Sequence, residues 1–115
     1  MSIEEIVKLI EGKIVSEVEG NHYDVTHAFT SDLMSDVLTV NHSEGIVLLT
    51  GLANVQTIRT AEMANLNIII LVRGKKANRD MIDIAKDNDI LIIESKYSAF
   101  RASAVLFNAG IKSLF

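Results

Sequence analysis

Cysteine, proline and tryptophan are all absent from this sequence of 115 residues. Without cysteine the chain can form no disulfide, no thiolate zinc site and no iron–sulfur cluster, and it has no cysteine nucleophile. Proline is missing and glycine occurs only six times, so we expect short loops. The net charge of −4 disfavours binding to a nucleic-acid polymer, because such binding needs a basic surface that neutralises phosphates.

Long apolar segments are also missing. The longest apolar run, residues 68–72, is far shorter than the ~20 residues that cross a bilayer. Residues 1–5 (MSIEE) are acidic and lack the basic and apolar regions of a signal peptide. We therefore expect a soluble cytoplasmic protein that does not associate with membranes. The length fits one domain over residues 1–115, with enough chain to bury a core of its own.

Hydrophobic residues, 49% of the chain, alternate between strand-like and helix-like patterns in the second half. Compact apolar runs at Ile46–Thr50, 67–72 and 89–93 predict strands, the last two of the kind buried on both faces of a parallel sheet. Each run is followed by residues at helical spacing. Strands alternating with helices predict an α/β domain with a mostly parallel β-sheet and flanking helices.

The three helices of this half have recognisable ends. Asn54 caps the first, which runs to about residue 65 with Ile58, Ala61 and Ala64 facing inward. Asn78 caps the second. The third ends at Gly110. Inward-facing residues of the last two helices are predicted to be Met81, Ile82, Ala85, Phe100, Ala104, and Leu106 or Phe107.

The amino-terminal part is less regular. Ser2 and Glu5 form a capping box that starts a helix near Ile3, and Gly12 is placed to end it in a left-handed conformation. Residues 13–17 and 24–30 are predicted strands, with a turn at 19–21 between them. Ser31-Asp32 then caps a short helix that carries Leu33, Met34, Val37 and Leu38.

Three strand-to-helix loops are expected to share the carboxyl edge of the sheet, where ligands bind in open parallel sheets. Each precedes a helix whose free N–H groups favour an anion. Gly51 and Gly74 permit close backbone approach. The candidate ligand-binding residues in these loops are Thr50, Gly51, Asn54, Arg73, Gly74, Lys75, Asn78 and Ser95.

Basic residues concentrate in the middle loop. Arg73, Lys75, Lys76 and Arg79 are four of the eleven basic residues of an acidic chain. One interpretation is a site for a nucleotide or another anion, or for an acidic partner. The other is a solvated loop that keeps the domain soluble. The phosphate-loop motif is incomplete, because Lys76 stands where Ser or Thr should follow Gly74-Lys75.

Other chemistries have little support. His22 and His27 are favoured as dispersed surface histidines over metal ligands. Asp32 and Asp36, one helical turn apart, are a candidate acid–base pair but more typically a solvated helix face. No G-x-S-x-G motif places a nucleophile on a turn. We predict no catalytic residue, no metal and no cofactor.

The order of the elements and three local patterns resemble the DRTGG-domain family over nearly the whole chain. The patterns are residues 25–36 (VTHAFTSDLMSD), residues 49–51 (LTG), and residues 69–74 (IILVRG) followed after a helix by 90–93 (ILII). The family's Gly-Asp-Arg motif aligns with Gly51-Leu52-Ala53, so its aspartate and arginine are missing here. Its Thr-Gly-Gly motif aligns with Val72-Arg73-Gly74 and keeps one glycine, Gly74. The resemblance implies a fold like the N-terminal domain of HPr kinase/phosphorylase, a module that also accompanies CBS domains in some pyrophosphatases.

The resemblance further implies a regulatory module that pairs as a homodimer. Together with the loops it predicts a non-catalytic, ligand-sensing domain that binds a nucleotide or other anion at the carboxyl edge. The alternative is an adaptor that binds another protein and no small molecule, with Leu33, Met34, Val37 and Leu38 as its apolar surface. A small enzyme that uses Asp32, Asp36 or His27 is the least favoured hypothesis.

Overall fold

A computed structural model of the chain describes residues 1–16, 23–40 and 44–115. Its strands and helices follow one another in the order α1 (Ile3–Leu9), β1 (Lys13–Ser16), β2 (His27–Thr30), α2 (Met34–Val37), β3 (Ile46–Thr50), α3 (Val55–Met63), β4 (Ile68–Leu71), α4 (Arg79–Asp87), β5 (Leu91–Glu94), α5 (Ala99–Asn108) and β6 (Lys112–Ser113). The predicted turn at 19–21 lies outside the described residues, as do Glu17 at the end of the first predicted strand, His22, and the third histidine of the chain, His42.

The six strands form one sheet in the order β1-β5-β4-β3-β2-β6. Strands β2 to β6 run parallel, and β1 alone pairs antiparallel, with β5. The prediction of an α/β domain with a mostly parallel sheet is therefore confirmed. The sequence did not predict strand β6 or the antiparallel direction of β1. In the described part of the chain, no helix is both long and apolar enough to cross a membrane.

The central strands are buried on both faces, as their uninterrupted apolar sequences predict. Alternate residues serve different layers. Val47 and Leu49 of β3 pack with α1 and α5, whereas Ile46 and Leu48 pack with α2, α3 and α4. The sheet thus lies between two helical layers, and its parallel strands bring their carboxyl ends to one edge.

Four helices end in the same way, and this corrects the role predicted for Gly12. The left-handed residues after α1, α3, α4 and α5 are Glu11, Asn65, Asp89 and Gly110. In each case the next N–H donates to a carbonyl five residues back, the Schellman bond. Gly12 is instead required for close packing, because a Cβ there would lie 2.7 Å from Ile93 Cγ2.

The second strand and the short helix that follows it also differ from prediction. Strand β2 begins at His27, three residues later than expected, and Asp24 accepts a hydrogen bond from the amino terminus. Helix α2 begins after Leu33 without a side-chain cap. Asp32 lies outside the helix, so Asp32 and Asp36 do not share a helical face.

The predicted inner face of α5 is partly wrong. Leu106 is buried as expected, but Phe100 is 86% and Phe107 is 65% exposed. Ala102 and Leu106, one turn apart, face the core instead. A residue two positions before Ala102 lies on the other side of a helix, since each residue turns by 100°. Ile82 of α4 and Ala104 of α5 are half-buried, while Met81 and Ala85 are buried as predicted.

Candidate functional site

The three predicted loops lie side by side at the carboxyl edge, which we define as the carboxyl ends of β2, β3, β4 and β5. The Val72 N–H donates to Thr50 O (3.0 Å), which joins the first loop to the second. The Arg73 and Gly74 N–H groups donate to Tyr97 O (2.7 Å) and Ser95 O (2.9 Å), which join the second loop to the third. The edge is therefore one continuous surface.

The first loop already holds an internal anion. Asp32 Oδ1 accepts hydrogen bonds from the Gly51 N–H (2.7 Å) and the buried Thr50 hydroxyl (3.0 Å). The hydroxyl oxygen of Thr50, Oγ1, in turn accepts a hydrogen bond from the Leu52 N–H (3.2 Å). Asn54 caps α3, because its Oδ1 accepts from the Thr57 N–H. The donors predicted to bind a ligand here are engaged by a carboxylate of the chain itself.

The second loop bends through two consecutive left-handed residues, Arg73 (φ 58°) and Gly74 (φ 72°). This conformation is uncommon for a residue with a Cβ and costs about 1 kcal/mol at Arg73. It directs both N–H groups toward the third loop. Asn78 then caps α4, because its Oδ1 accepts from the Met81 N–H (2.9 Å).

A second internal anion, Glu94, holds the end of this loop. Its side chain is only 8% exposed and accepts hydrogen bonds from the Ala77 N–H (2.9 Å) and from Lys76 Nζ (3.3 Å). Lys76 itself is largely exposed, and its ammonium group lies over the buried Glu94 carboxylate. Of the four clustered basic residues, Lys76 is thus used within the fold.

Arg73, Lys75 and Arg79, the other three members of the basic cluster, lie at the surface of the edge. All three are exposed, and none forms an ion pair with an acid in residues 1–16, 23–40 or 44–115. Arg79 begins α4, where the helix dipole adds positive potential. With these three cations against one exposed acid of the first turn, Asp80, the surface around the amino end of α4 carries a net positive charge within an acidic protein.

The third loop serves the fold. Ser95 is buried, and its hydroxyl donates to Ile10 O (2.7 Å) and accepts from the Tyr97 N–H (3.1 Å). The Tyr97 hydroxyl donates to Glu11 Oε2 (2.8 Å), and the Arg101 guanidinium lies 3.9 Å from the ring centre. The hydrogen bond to the Glu11 carboxylate raises the pKa of Tyr97, because it stabilises the protonated phenol.

The remaining candidate groups are dispersed. His27 is half-buried at the start of β2, at the opposite end of that strand from the carboxyl edge, with its Nδ1 2.8 Å from Thr26 Oγ1. Nowhere in the described ranges do three histidine, aspartate or glutamate side chains gather as a metal site would require. The two carboxylates that organise the edge, Asp32 and Glu94, were not predicted in that role. For Glu94 the available signal was a lone acid that ends an apolar strand.

No protein-family model and no curated protein matches this sequence. Among solved structures, the chain is similar to the crystal structure of the CBS and DRTGG domains of the regulatory region of Clostridium perfringens pyrophosphatase, complexed with activator, diadenosine tetraphosphate. The TM-score is 0.76 at 18% sequence identity. The fold is DRTGG-domain-like.

The similarity covers 91% of this chain and 45% of that one, so the chain spans less than half the length of the structure it matches. At 18% sequence identity, the similarity to this structure establishes the fold of the chain alone. The resemblance to the N-terminal domain of HPr kinase/phosphorylase stays a prediction.

Proposed function

We propose that this chain is a non-catalytic regulatory domain that senses a nucleotide or another anion at the carboxyl edge and acts as a homodimer. The observation that carries the proposal is the group of exposed cations formed by Arg73, Lys75 and Arg79 at the amino end of α4. Phosphate groups are the ligands that such a combination of guanidinium, ammonium and helix dipole favours.

The internal carboxylates determine how a ligand would bind. Because Asp32 and Glu94 engage the Gly51 and Ala77 N–H groups, phosphates would meet side chains before backbone. The main contacts are therefore assigned to the three exposed cations. Thr50, Gly51, Asn54, Gly74 and Asn78 line the same edge, and the first two become donors to a ligand only if Asp32 moves. Ser95 positions the third loop.

The structural comparison guides the choice of ligand. The pyrophosphatase regulatory region that shares this fold was crystallised with an activator that is a dinucleoside tetraphosphate. A polyphosphate chain carries several negative charges, which suits a surface of three cations spread over seven positions. Dinucleoside polyphosphates and nucleoside triphosphates are therefore the first ligands to test.

The second candidate function is an adaptor that binds a protein and no small molecule. Leu33 and Leu38, which flank α2, are both exposed, and exposed leucines close together are typical of interaction surfaces. An adaptor of this kind would not need the cations of the edge.

The test is titration calorimetry of the purified chain with diadenosine tetraphosphate, ATP and inorganic pyrophosphate. The double variant Lys75→Gln/Arg79→Gln should weaken binding by about tenfold or more, because it removes two charge-assisted contacts. Lys86→Gln/Lys8→Gln is the matched control, since it removes the same charge from the last turns of α4 and α1. Equal weakening in both variants, or no binding of any probe at millimolar concentration, would overturn the anion site and favour the adaptor.

A further inference from the structure

Helix α5 carries a second apolar face in addition to the one that enters the core. Ala102 and Leu106 face the sheet. The residues on another side, which we call the α5 stripe, are Phe100, Ser103, Ala104 and Phe107. Their spacing is that of one face of a helix. Phe100 is 86% and Phe107 is 65% exposed, so this face is turned outward.

The α5 stripe forms one wall of an open cleft of about 590 Å³. Strands β2 and β6 form its floor, and Phe115, 76% exposed and in edge-to-face contact with Phe29 at 5.4 Å, closes one side. Among the described residues that line the cleft, Lys112 alone is charged. A depletion of charge together with exposed aromatic rings is characteristic of the core of a protein–protein interface.

The exposed aromatic surface is large enough to supply much of an interface. At 150–250 Å² for a whole aromatic side chain, the exposed parts of Phe100, Phe107 and Phe115 offer roughly 450 Å². A standard interface buries about 800 Å² on each partner. These three rings would supply more than half of that area before any neighbouring residue is counted.

The order of sizes along the α5 stripe fits a second copy of the same chain. The stripe reads large, small, small, large, and it reads the same in both directions. A two-fold axis requires such self-complementarity, because residue i on one copy must fit residue j on the other and the reverse. Two stripes packed antiparallel would place Phe100 of one copy beside the partner's Phe107. The small residues between them would let the two helix axes approach closely.

We propose that two copies of this chain pair through their α5 stripes about a two-fold axis between Ser103 and Ala104, with Phe100 against the partner's Phe107. This assignment rests on the proposed homodimer and specifies its surface. The pairing also satisfies the polar group at its centre. The Ser103 hydroxyl already shares a hydrogen bond with Thr30 Oγ1 (2.7 Å), so its burial would leave no hydroxyl unpaired.

The absence of cysteine from the whole chain makes crosslinking a sharp test. A disulfide requires Cα atoms about 4.4–6.8 Å apart, which on a two-fold interface only residues near the axis can reach. Ala104→Cys should therefore form a crosslinked dimer rapidly under mild oxidation. Met63→Cys is the control, because Met63 is exposed on α3 on the other side of the sheet.

Analytical ultracentrifugation provides the second measurement. The wild-type chain should sediment at twice its 12.6 kDa mass. Phe100→Ser/Phe107→Ser should weaken dimerisation by a factor of about 100 or more, since four rings lose their apolar burial. Met63→Ser should not. Both phenylalanines are mostly exposed, so the double variant should keep the wild-type circular dichroism spectrum.

The outcomes separate this inference from the proposed function. A dimer that survives the double variant unchanged, without crosslinking at position 104, overturns the interface and leaves the homodimer in place. A wild-type chain that is monomeric at millimolar concentration overturns both the α5 interface and the homodimer. It does so whether the cleft is then empty or binds an apolar ligand or another protein. Neither result depends on anion binding, which the calorimetric experiment measures separately.

Discussion

The carboxylate of Asp32 lies 2.7 Å from the backbone nitrogen of Gly51, and the two residues are 19 positions apart in the chain. The contact ties the segment after β2 to the loop after β3, and it puts a negative charge in the loop that leads to α3. An anion of the chain itself thus stands where an external anion would be expected to bind. Asp32 is both a structural contact and a competitor for any ligand of this loop.

Replacing Asp32 by alanine should lower the free energy of unfolding by about 1–2 kcal/mol. The loss follows from removing the acceptor of the Gly51 N–H and of the buried Thr50 hydroxyl. Asp36→Ala is the control, because it removes the same charge from an exposed position of α2. Urea denaturation measures both. Equal stability of the two variants would show that the Asp32 contacts contribute nothing.

The ion pair between Glu94 and Lys76 should be asymmetric. Glu94→Ala should cost about 2 kcal/mol, because it leaves the Ala77 N–H without its acceptor and empties the space of a buried side chain. Lys76→Ala should cost less than about 1 kcal/mol, since an exposed lysine contributes little to an ion pair. Thermal unfolding of the two variants gives the comparison. A larger loss at Lys76 than at Glu94 would contradict this account.

Much of the sheet was predictable because its signals are local. Strand β3 and the caps Asn54 and Asn78 occur where the sequence places them, since a buried strand and a capped helix are each specified within a few residues. It was harder to predict which residue takes the left-handed conformation after the end of a helix. At Glu11 no local feature distinguished it from the neighbouring Gly12, which the fold needs for a close approach to Ile93.

The organisation of the candidate site was not predictable in the same way. The basic cluster was visible in the sequence, but the partners of Asp32 and Glu94 lie 17 to 19 residues away. Only the pairing of strands brings them together. The outward direction of Phe100 had a similar cause, because the helical spacing of α5 allows two apolar faces and does not say which one the sheet covers.

Arg73→Gly should separate stability from binding. Arg73 has φ 58°, and glycine adopts this conformation without the Cβ clash, although it loses more entropy on folding. The net change is expected to lie between zero and a stabilisation of about 1 kcal/mol. Affinity for diadenosine tetraphosphate should fall by about tenfold with the lost guanidinium.

The opposite substitution next to it is the control for this change. A Cβ at Gly74 would meet no atom within 4 Å, so Gly74→Ala adds only the strain of φ 72°. It should destabilise by about 1 kcal/mol and keep the cation of Arg73. If Arg73→Gly destabilises the protein as much as Gly74→Ala, the side chain of Arg73 contributes a contact that outweighs its strain.

Stability at alkaline pH should depend on Tyr97. The hydrogen bond to Glu11 raises its pKa in the folded state above the unfolded value of about 10. A raised folded pKa gives a contribution that is complete below pH ~10 and is lost as the pH rises through the folded pKa. Burial also raises the pKa of Tyr23, so the comparison is made in a Tyr23→Phe background. There, adding Tyr97→Phe should lower stability at pH 8 and reduce its decline between pH 10 and 11.5, measured by urea denaturation. Parallel curves with and without Tyr97 would mean that the Tyr97–Glu11 hydrogen bond does not persist in solution.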